Sequence, residues 1–380
     1  EKILVNKAIQ GMLTDLDPHS AYLTPKEIED LQETTSGEFG GIGIEITFKN
    51  GLVEITACIP ESPAFQAGIK RGDIIKEIND QPLEELSLSE SIGLLRGSVG
   101  STVKLILQRI EPLYNGKEKT TKIIKRVERS IIKYGSLEDH LFEKGIGYIK
   151  ISQFQDSTRK DLLVSLRELS SNGPLLGLIL DLRDNPGGLL KSAVDVTDTF
   201  LDKGTIVSIE GREDDSTQIF SATSEATLYK SPMIVIINGG SASASEIVAG
   251  ALQDQNRALI LGTPSFGKGS VQTIMPLSNG HAVKLTTARY YTPNGNSIQA
   301  KGISPTLVIE DIEVTRSEKE TLSIKNMNRI KESDLPNHLS SKQLSTNPGI
   351  FNPKAKLLKD RQLLHSYILL NGLAFLKNHQ

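Results

Sequence analysis

Cysteine and metal-binding patterns are scarce in this sequence. Cys58 is the only cysteine among 380 residues. It excludes an internal disulfide and a zinc cluster built on thiolates, but it does not identify the compartment, because many exported proteins have no disulfide. The six histidines show neither HExxH nor HxH spacing, which argues against a metal hydrolase. We therefore expect neither a metal nor another cofactor.

Strong charge and long apolar runs are missing as well. The formal net charge is −3, whereas binding to nucleic acid usually needs a basic surface, so we expect no nucleic-acid partner. The apolar stretch at 363–376 is too short and too often interrupted by polar residues to span a membrane. Because the chain starts at Glu1 rather than Met, we expect that a leader has been removed upstream.

The chain is long enough for two or three domains. In the first of these, residues 1–36, apolar residues recur at helical spacing up to a turn at 17–20. Thr24 then forms an N-cap, with Pro25 at the first helical position of a second helix. We expect this segment to be a platform rather than a functional site.

Residues 37–110 change to short β-rich runs with glycine turns and one helix at Ser87–Leu95. The sequences IPESPA at 59–64 and AGIKRGDII at 67–75 resemble a PDZ domain, and FGGIGI at 39–44 resembles its carboxylate-binding loop. Glycines let backbone amides converge on a carboxylate, and an exposed strand edge can pair with a peptide. The candidate peptide-binding residues are Gly41, Ile42, Gly43 and Ile44. A glycine-rich turn in another small barrel is the alternative.

An α/β pattern begins near Gly145, after a polar hairpin or linker at 111–125. The apolar run Gly177–Asp181 is followed by LRDNPGG and a helical stretch at 189–201. Met233–Ile237 repeats the arrangement, with NGG and then a helix at 243–253. Two strand–loop–helix units indicate a mostly parallel sheet covered by helices.

The C-terminal segment, 311–380, carries no motif that we can place. Its polar residues up to about 355 are typical of a linker or a partly disordered stretch. A final amphipathic helix at 360–377 is suited to docking on the body of the protein or on another subunit.

The motif GGSASASE at 239–246 lies between a buried strand and a helix. A serine there stands at a helix N-terminus, where free amides favour developing negative charge. Ser243 with Glu246 also fits a capping box, which needs no catalytic role. Ser241 and Ser245 are equally plausible as nucleophiles from spacing alone.

The motif GTPSFGKGSVQ at 262–272 supplies a candidate base. It comes close to a P-loop, but Gly269 stands where Ser or Thr would hold magnesium, and a strand pattern follows instead of a helix. Lys268 can act as a base if burial lowers its pKa. On a strand, positions 268, 270 and 272 share a face, so the Gln272 amide can hold the amine. A solvated lysine is the alternative.

These motifs together resemble one family. NGGSASASEI at 238–247, GKG at 267–269 with Gln272, DPHSAYL at 17–23, the PDZ motifs and DLRDNPGG at 181–188 are similar, in the same order, to the C-terminal processing (tail-specific) peptidases of the S41 class. The resemblance spans about residues 1–310. It implies an α/β, crotonase/ClpP-like protease core at 111–310, with an inserted PDZ domain and helical N- and C-terminal segments.

The resemblance also implies roles for individual residues. Ser243 would be the nucleophile, Lys268 the general base and Gln272 the residue that orients the lysine. The Ala244 amide would form the oxyanion hole together with that of Gly187 or Gly188. Asp254 matches an aspartate that some members carry, but eleven helical residues place it roughly 16 Å from Ser243, so we expect a structural role.

The implied function is a serine endopeptidase that recognises protein C-termini through its PDZ domain and cleaves through an acyl-enzyme, with PDZ-gated activity. Arg96 is a candidate gating residue, a solvated arginine being the alternative. The family implies protein or peptide substrates with free C-termini, an adaptor or lipoprotein activator, a homo-oligomer, and export to the periplasm or cell envelope. A non-catalytic PDZ scaffold is a second reading. A crotonase-type acyl-CoA enzyme would leave the PDZ domain and Lys268 unexplained.

Overall fold

The computed structural model describes residues 2–49, 52–83, 86–112, 118–212, 216–226, 228–310, 312–316, 322–326, 357 and 360–377. The chain divides into two compact units, one formed by residues 37–134 and the other by residues 1–36 with 135–380. The predicted linker positions 327–356 lie outside the described residues.

The helices in the described parts of the chain are α1 Lys2–Thr14, α2 Pro25–Ser36, α3 Pro63–Gln66, α4 Leu88–Leu95, α5 Thr158–Leu169, α6 Leu190–Asp198, α7 Ala244–Asp254 and α8 Arg361–Lys377. The strands are β1 Ala21–Leu23, β2 Glu38–Gly41, β3 Ile44–Lys49, β4 Leu52–Cys58, β5 Ile74–Ile78, β6 Gln81–Pro82, β7 Thr102–Pro112, β8 Glu118–Glu128, β9 Ser130–Lys133, β10 Leu137–Phe142, β11 Ile146–Ile151, β12 Gly177–Asp181, β13 Thr205–Gly211, β14 Gln218–Ser221, β15 Met233–Ile237, β16 Leu259–Gly262, β17 Ser270–Pro276, β18 Ala282–Tyr291, β19 Leu307–Val308, β20 Ile312–Arg316 and β21 Leu322–Asn326.

The smaller unit is a β-sheet domain with one main helix. Its sheet has the order β3-β4-β5-β7-β8, with β6 paired to β5, and β2 pairs separately with β9. α4 lies within the predicted helix at Ser87–Leu95, and it begins with a capping box formed by Ser87 and Glu90. The unit ends at Tyr134, so it includes β8 and β9, which the sequence analysis assigned to the protease core.

The larger unit is built on a sheet of order β10-β11-β12-β15-β16-β19. β11, β12, β15, β16 and β19 run parallel, and β10 is antiparallel to β11. β12 and β15 are buried on both faces, as continuous apolar runs predict for a sheet covered on both sides. The two predicted strand–loop–helix units, β12 with α6 and β15 with α7, are confirmed. The fold is therefore α/β.

The two faces of this sheet carry separate hydrophobic clusters. Leu178, Leu180, Val235 and Ile237 pack with residues of α5, α6 and α7. On the other face, residues of β11, β12, β15 and β16 pack against the fully buried Leu363 and Leu370 of α8. α8 thus docks on the body of its own unit, which is one of the two sites that the sequence left open.

A second sheet lies in the same unit, and one of its strands follows the loop that carries the candidate base. Its order is β1-β18-β13-β14, with β17 also paired to β18. β17 follows the 263–269 loop, and β1 follows the predicted turn at 17–20. Part of the predicted C-terminal linker forms the hairpin β20–β21, which the sequence analysis did not expect.

Candidate active site

Ser243 stands between β15 and α7 in a strained backbone conformation. Its φ of 55° and ψ of −112° lie outside the helical region, and the helix begins at the next residue. A non-glycine residue at positive φ costs free energy and is concentrated at functional sites, including the strand–turn–helix elbow that exposes a nucleophilic serine. The turn presents Ser243 at the helix N-terminus, where amides favour negative charge.

The geometry separates the three serines that spacing alone left equivalent. Ser241 and Ser245 are fully buried, whereas Ser243 is partly exposed. The Ser241 hydroxyl donates to the carbonyl of Leu182 at 2.8 Å, and the Ser245 hydroxyl donates to that of Asn185 at 2.9 Å. Both neighbours therefore anchor the loop after β12, and Ser243 carries the hydroxyl that a substrate can reach.

Glu246 is a fully buried carboxylate that joins the serine turn to the lysine loop. One oxygen, Oε2, accepts hydrogen bonds from the backbone amides of Ser243 at 2.7 Å and Lys268 at 2.9 Å. The other, Oε1, accepts from the Ser265 hydroxyl at 2.5 Å and the Gly267 amide at 2.7 Å. Burial raises the pKa of Glu246, and these four hydrogen bonds act in the opposite direction.

The sequence indicates Glu246 only as half of a capping box. The carboxylate does bind the Ser243 amide as such a box requires. The same oxygen also accepts a hydrogen bond from the backbone amide of Lys268. The backbone nitrogens of Ser243 and Lys268 are therefore no farther apart than the sum of the two hydrogen-bond lengths. The capping interpretation and the catalytic one are therefore compatible.

The loop that carries Lys268 packs closely on its surroundings. The Phe266 amide donates to the carbonyl of Ser241 at 3.0 Å. Gly269 has no room for a side chain, since a Cβ there would lie 2.4 Å from the backbone nitrogen of Gln299. Lys268 is half-buried. β17 begins only at Ser270, so Lys268 lies in the loop and not on the strand, which corrects the prediction.

Gln272 lies on β17 with its side chain directed back along the strand. Its Nε2 donates to the hydroxyl of Ser270 at 2.9 Å and, more weakly, to that of Thr286 at 3.4 Å. Residues 270 and 272 thus share a face, as predicted. The Gln272 side-chain amide therefore lies at the first residue of β17, two positions after Lys268 in the sequence.

Gly187 and Gly188 are the two candidate glycines of the oxyanion hole, and the hydrogen bonding of the Gly187 amide distinguishes them. A Cβ on Gly187 would lie 2.9 Å from the Ser243 Cβ and 3.1 Å from the Ala244 nitrogen, so the glycine loop touches the serine turn. The Gly187 amide, however, donates to Asn185 Oδ1 at 2.9 Å. Of the two glycines we therefore take Gly188 as the candidate partner of the Ala244 amide.

The smaller unit contains a groove between β3 and α4. β3 is an edge strand of its sheet within the described residues, so one side of its backbone is available to an extended peptide. The Arg96 guanidinium lies 4.3 Å from the ring centroid of Phe39 at the groove, and Arg96 is exposed to solvent, so its gating role stays a prediction. The groove has a volume of about 170 Å³ and is lined by Phe39, Gly41, Ile42, Gly43, Ile44, Ile46, Ile92, Leu95 and Arg96.

Asp254 is the last residue of α7, at the opposite end from Ser243. Its Oδ2 accepts a hydrogen bond from the Asn294 amide at 2.9 Å. Within the described ranges, three or more His, Cys, Asp or Glu residues do not come together as a metal site. The helices of that same part of the chain include none long and apolar enough to cross a membrane.

The site can be compared with known proteins. Residues 145–309 match the model of peptidase family S41, and residues 54–109 match a PDZ domain. A carboxy-terminal-processing protease of Bartonella bacilliformis is 43% identical over 377 residues, which cover 97% of this chain and 83% of that protein. The carboxy-terminal processing protease CtpB of Bacillus subtilis is 37% identical over 309 residues, which are 81% of this chain and 63% of that one.

A solved structure shows the same architecture. The photosystem II D1 C-terminal processing protease is 31% identical and aligns with a TM-score of 0.50, covering 81% of this chain and 82% of its own. The family match includes the serine turn, the lysine loop and the glycine loop described above. The chain therefore belongs to peptidase family S41, among the PDZ-containing carboxy-terminal processing proteases, and is a serine-type peptidase.

Proposed function

We propose that this protein is an endopeptidase that binds protein C-termini in its PDZ groove and cleaves with Ser243 as nucleophile and Lys268 as general base. The Glu246 carboxylate carries the proposal, because it holds the amides of both residues on one oxygen. The strained, partly exposed position of Ser243 supports the same assignment.

In the acylation step, the neutral amine of Lys268 takes the proton from the Ser243 hydroxyl as the oxygen attacks a peptide carbonyl. The oxyanion of the tetrahedral intermediate accepts hydrogen bonds from the Ala244 and Gly188 amides. When the intermediate collapses, the C–N bond breaks, and the Lys268 ammonium returns the proton to the leaving amine. The product is an ester between Ser243 and the substrate's acyl group.

In the deacylation step, Lys268 takes a proton from water while the water oxygen attacks the ester carbonyl. Collapse of the second intermediate returns the proton to Ser243 Oγ and releases a carboxylic acid. Gln272 orients the lysine through both steps. Both steps require the amine of Lys268 to be neutral when it accepts the proton.

The PDZ groove supplies substrate selection. An extended C-terminus adds to the edge of β3, its apolar last residue enters the pocket between β3 and α4, and its carboxylate meets the amides of the 41–44 loop. Arg96 at the groove is the candidate residue that senses the occupied state and gates activity. Export to the periplasm or cell envelope, an activating adaptor and a homo-oligomer remain predictions from the family.

The dyad is tested with an unstructured protein substrate that has an apolar C-terminus. Ser243→Ala and Lys268→Ala are each expected to abolish cleavage while thermal unfolding stays close to that of the wild type. Ser241→Ala and Ser245→Ala are the matched controls and should retain turnover, although both lose a buried hydrogen bond.

Turnover by Ser243→Ala, combined with its loss in either control, would overturn the assignment of the nucleophile. A wild-type protein that binds the peptide but neither cleaves it nor forms a covalent adduct with a serine-reactive probe would instead indicate a non-catalytic scaffold.

A further inference from the structure

Asp17 is a charged residue outside the proposed dyad, and its carboxylate is engaged on both oxygens. Oδ1 accepts from the amides of His19 at 2.8 Å and Ser20 at 3.0 Å, and from the Thr286 hydroxyl at 2.9 Å. Oδ2 accepts from the Ser20 hydroxyl at 2.5 Å. These contacts lower the pKa of Asp17 although its partial burial acts to raise it, so the group is a carboxylate at neutral pH.

Ser20 and β1 hold this carboxylate against β18. Ser20 is buried, and its hydroxyl also accepts a hydrogen bond from the Thr286 amide at 3.1 Å. β1 then pairs with β18 through Ala21, Tyr22 and Leu23. The turn at 17–20 is therefore fixed on the strand that lies beside Gln272.

The direction of the hydrogen bonds follows from the chemistry of the groups. An ionised carboxylate only accepts, so the Thr286 hydroxyl must donate its proton to Asp17. Thr286 Oγ1 can then only accept from Gln272. An amide side chain donates through its NH₂ group and accepts through its oxygen, so Gln272 must turn its NH₂ towards Thr286 and Ser270.

We propose that Asp17 and Thr286 are positioning residues that select one of the two orientations of the Gln272 amide, the one that offers Oε1 to Lys268. The inference rests on the proposed function, in which Lys268 is the base. An amide oxygen accepts from the lysine in both protonation states, whereas the flipped amide would direct NH₂ at the amine. The platform predicted for residues 1–36 is thus part of the catalytic apparatus.

Lys284, on β18, interacts electrostatically with Asp17. It also interacts with a second carboxylate, that of Glu27 on α2. Asp17→Ala therefore removes a counter-charge of Lys284 as well as the acceptor of Thr286. Glu27→Gln removes the other counter-charge without touching Thr286 or Gln272, and it serves as the matched charge control.

The test is a double-mutant cycle on purified full-length protein, with single-turnover cleavage of an activated peptide ester so that slow variants remain measurable. In the wild-type background, Thr286→Val and Asp17→Ala should lower the catalytic rate by about tenfold to hundredfold, the range expected for a misplaced catalytic group. KM should change less than about twofold. In the Gln272→Ala background, neither replacement should lower the rate further.

The controls separate positioning from folding. Thr286→Ser, which keeps the hydroxyl, should restore the rate, and Glu27→Gln should stay close to wild type. Equal losses in the wild-type and Gln272→Ala backgrounds would overturn the proposal, because Asp17 and Thr286 would then act independently of Gln272. If Asp17→Ala does not fold, the Thr286→Val arm of the cycle decides.

Failure of the proposed function gives a different result. If Ser243→Ala and Lys268→Ala still cleave, the dyad is wrong. If Ser243→Ala and Lys268→Ala are both inactive, but Thr286→Val lowers the cleavage rate by the same factor with and without Gln272→Ala, only the positioning proposal fails.

Discussion

Ser243 keeps its unusual backbone angles at a cost of about 1–3 kcal/mol, which the surrounding contacts must offset. The Glu246 carboxylate contributes to that compensation. It is buried, yet all of its hydrogen bonds come from the serine turn and the lysine loop. A charge-assisted hydrogen bond contributes more than a neutral one, so a carboxylate is the side chain best suited to hold both segments.

Replacement of Glu246 tests whether its carboxylate holds the serine turn and the lysine loop together, an arrangement that we call the Glu246 bridge. Glu246→Ala leaves four donors without their acceptor and should remove activity, at a cost in stability of several times the roughly 1–3 kcal/mol of one unsatisfied buried donor. Glu246→Gln should lose less stability and activity. Its NH₂ group can replace Oε1 and donate to the Ser265 hydroxyl, which then accepts instead of donating. Of the two donors to Oε1, the Gly267 amide is then the one left without an acceptor. Cleavage rate and thermal unfolding are measured together.

Asp254→Asn, at the other end of α7, is the control for these variants. It removes a charge but keeps an acceptor for the Asn294 amide, so it should retain turnover. A Glu246→Ala protein with wild-type activity would show that the bridge does not hold the dyad, and an inactive Asp254→Asn would contradict the structural role given to Asp254.

Sequence reasoning reached the individual residues of the site but not the links between them. Ser243, Lys268 and Gln272 came from motifs, and the Ser243–Glu246 contact came from local capping chemistry. The bond from Glu246 to Lys268 joins loops 22 positions apart, and that from Thr286 to Asp17 spans 269 positions. Contacts at such separation depend on the folded arrangement of strands, which one sequence does not encode in any local pattern.

At the scale of elements, the apolar strands were predictable and the polar ones were not. Gly177–Asp181 and Met233–Ile237 have the predicted bounds, because continuous apolar runs between turn signals are typical of doubly covered strands. β8 alternates between exposed and half-buried positions and is rich in lysine, so its sequence is typical of a polar hairpin arm. Its pairing with β7 is what makes it part of the smaller unit.

The α8 helix is attached to the sheet by a buried ionic network as well as by leucines. Arg183 donates to Asp181 and Asp360, and the Tyr148 hydroxyl also donates to Asp181. Burial opposes the ionised form of Asp181, but Arg183 holds its pKa below the ordinary value of 3.8. A depressed pKa stabilises the fold above that ordinary value, and the contribution is lost as the pH falls towards the folded-state pKa.

Asp360→Ala should therefore loosen α8. The change removes one carboxylate from Arg183 and the acceptor of the Leu363 amide at the start of the helix. We expect a loss of about 1–3 kcal/mol, seen as a fall in Tm of about 2–4 °C per kcal/mol. Asp360→Asn keeps a neutral acceptor and should lose less.

The exposed ion pair between Lys191 and Asp195 is the matched control. The lysine side chain there is 84% exposed, against 12% for Arg183. Solvent screens such a pair, so Asp195→Ala should change stability by no more than about 0.5 kcal/mol. Equal shifts in Asp195→Ala and Asp360→Ala would contradict a specific role for the buried network.

At the scale of the whole molecule, the groove and the candidate active site lie in different compact units. The groove belongs entirely to residues 37–134, and the serine turn, lysine loop and Asp17 network belong to the other unit. The smaller unit has one hydrophobic cluster of its own, and the larger unit has two. A substitution in the groove can therefore change substrate selection while the catalytic unit stays folded.

Gly43 offers the sharpest test of that separation. Both Gly43 and Gly68 have positive φ, 76° and 73°, so alanine brings a similar backbone strain at either position. A Cβ on Gly43 would lie 2.3 Å from the Ser62 Cβ and distort the carboxylate loop, whereas at Gly68 the nearest atom would be 3.9 Å away. With matched peptides ending in a free acid or an amide, the wild type and Gly68→Ala should prefer the acid by about tenfold or more, the value of one charge-assisted contact of about 1.5–3 kcal/mol. Gly43→Ala should cleave both peptides at the slower, amide-like rate. If Gly43→Ala still prefers the acid, the carboxylate is recognised outside this loop, and selection by the PDZ groove is wrong.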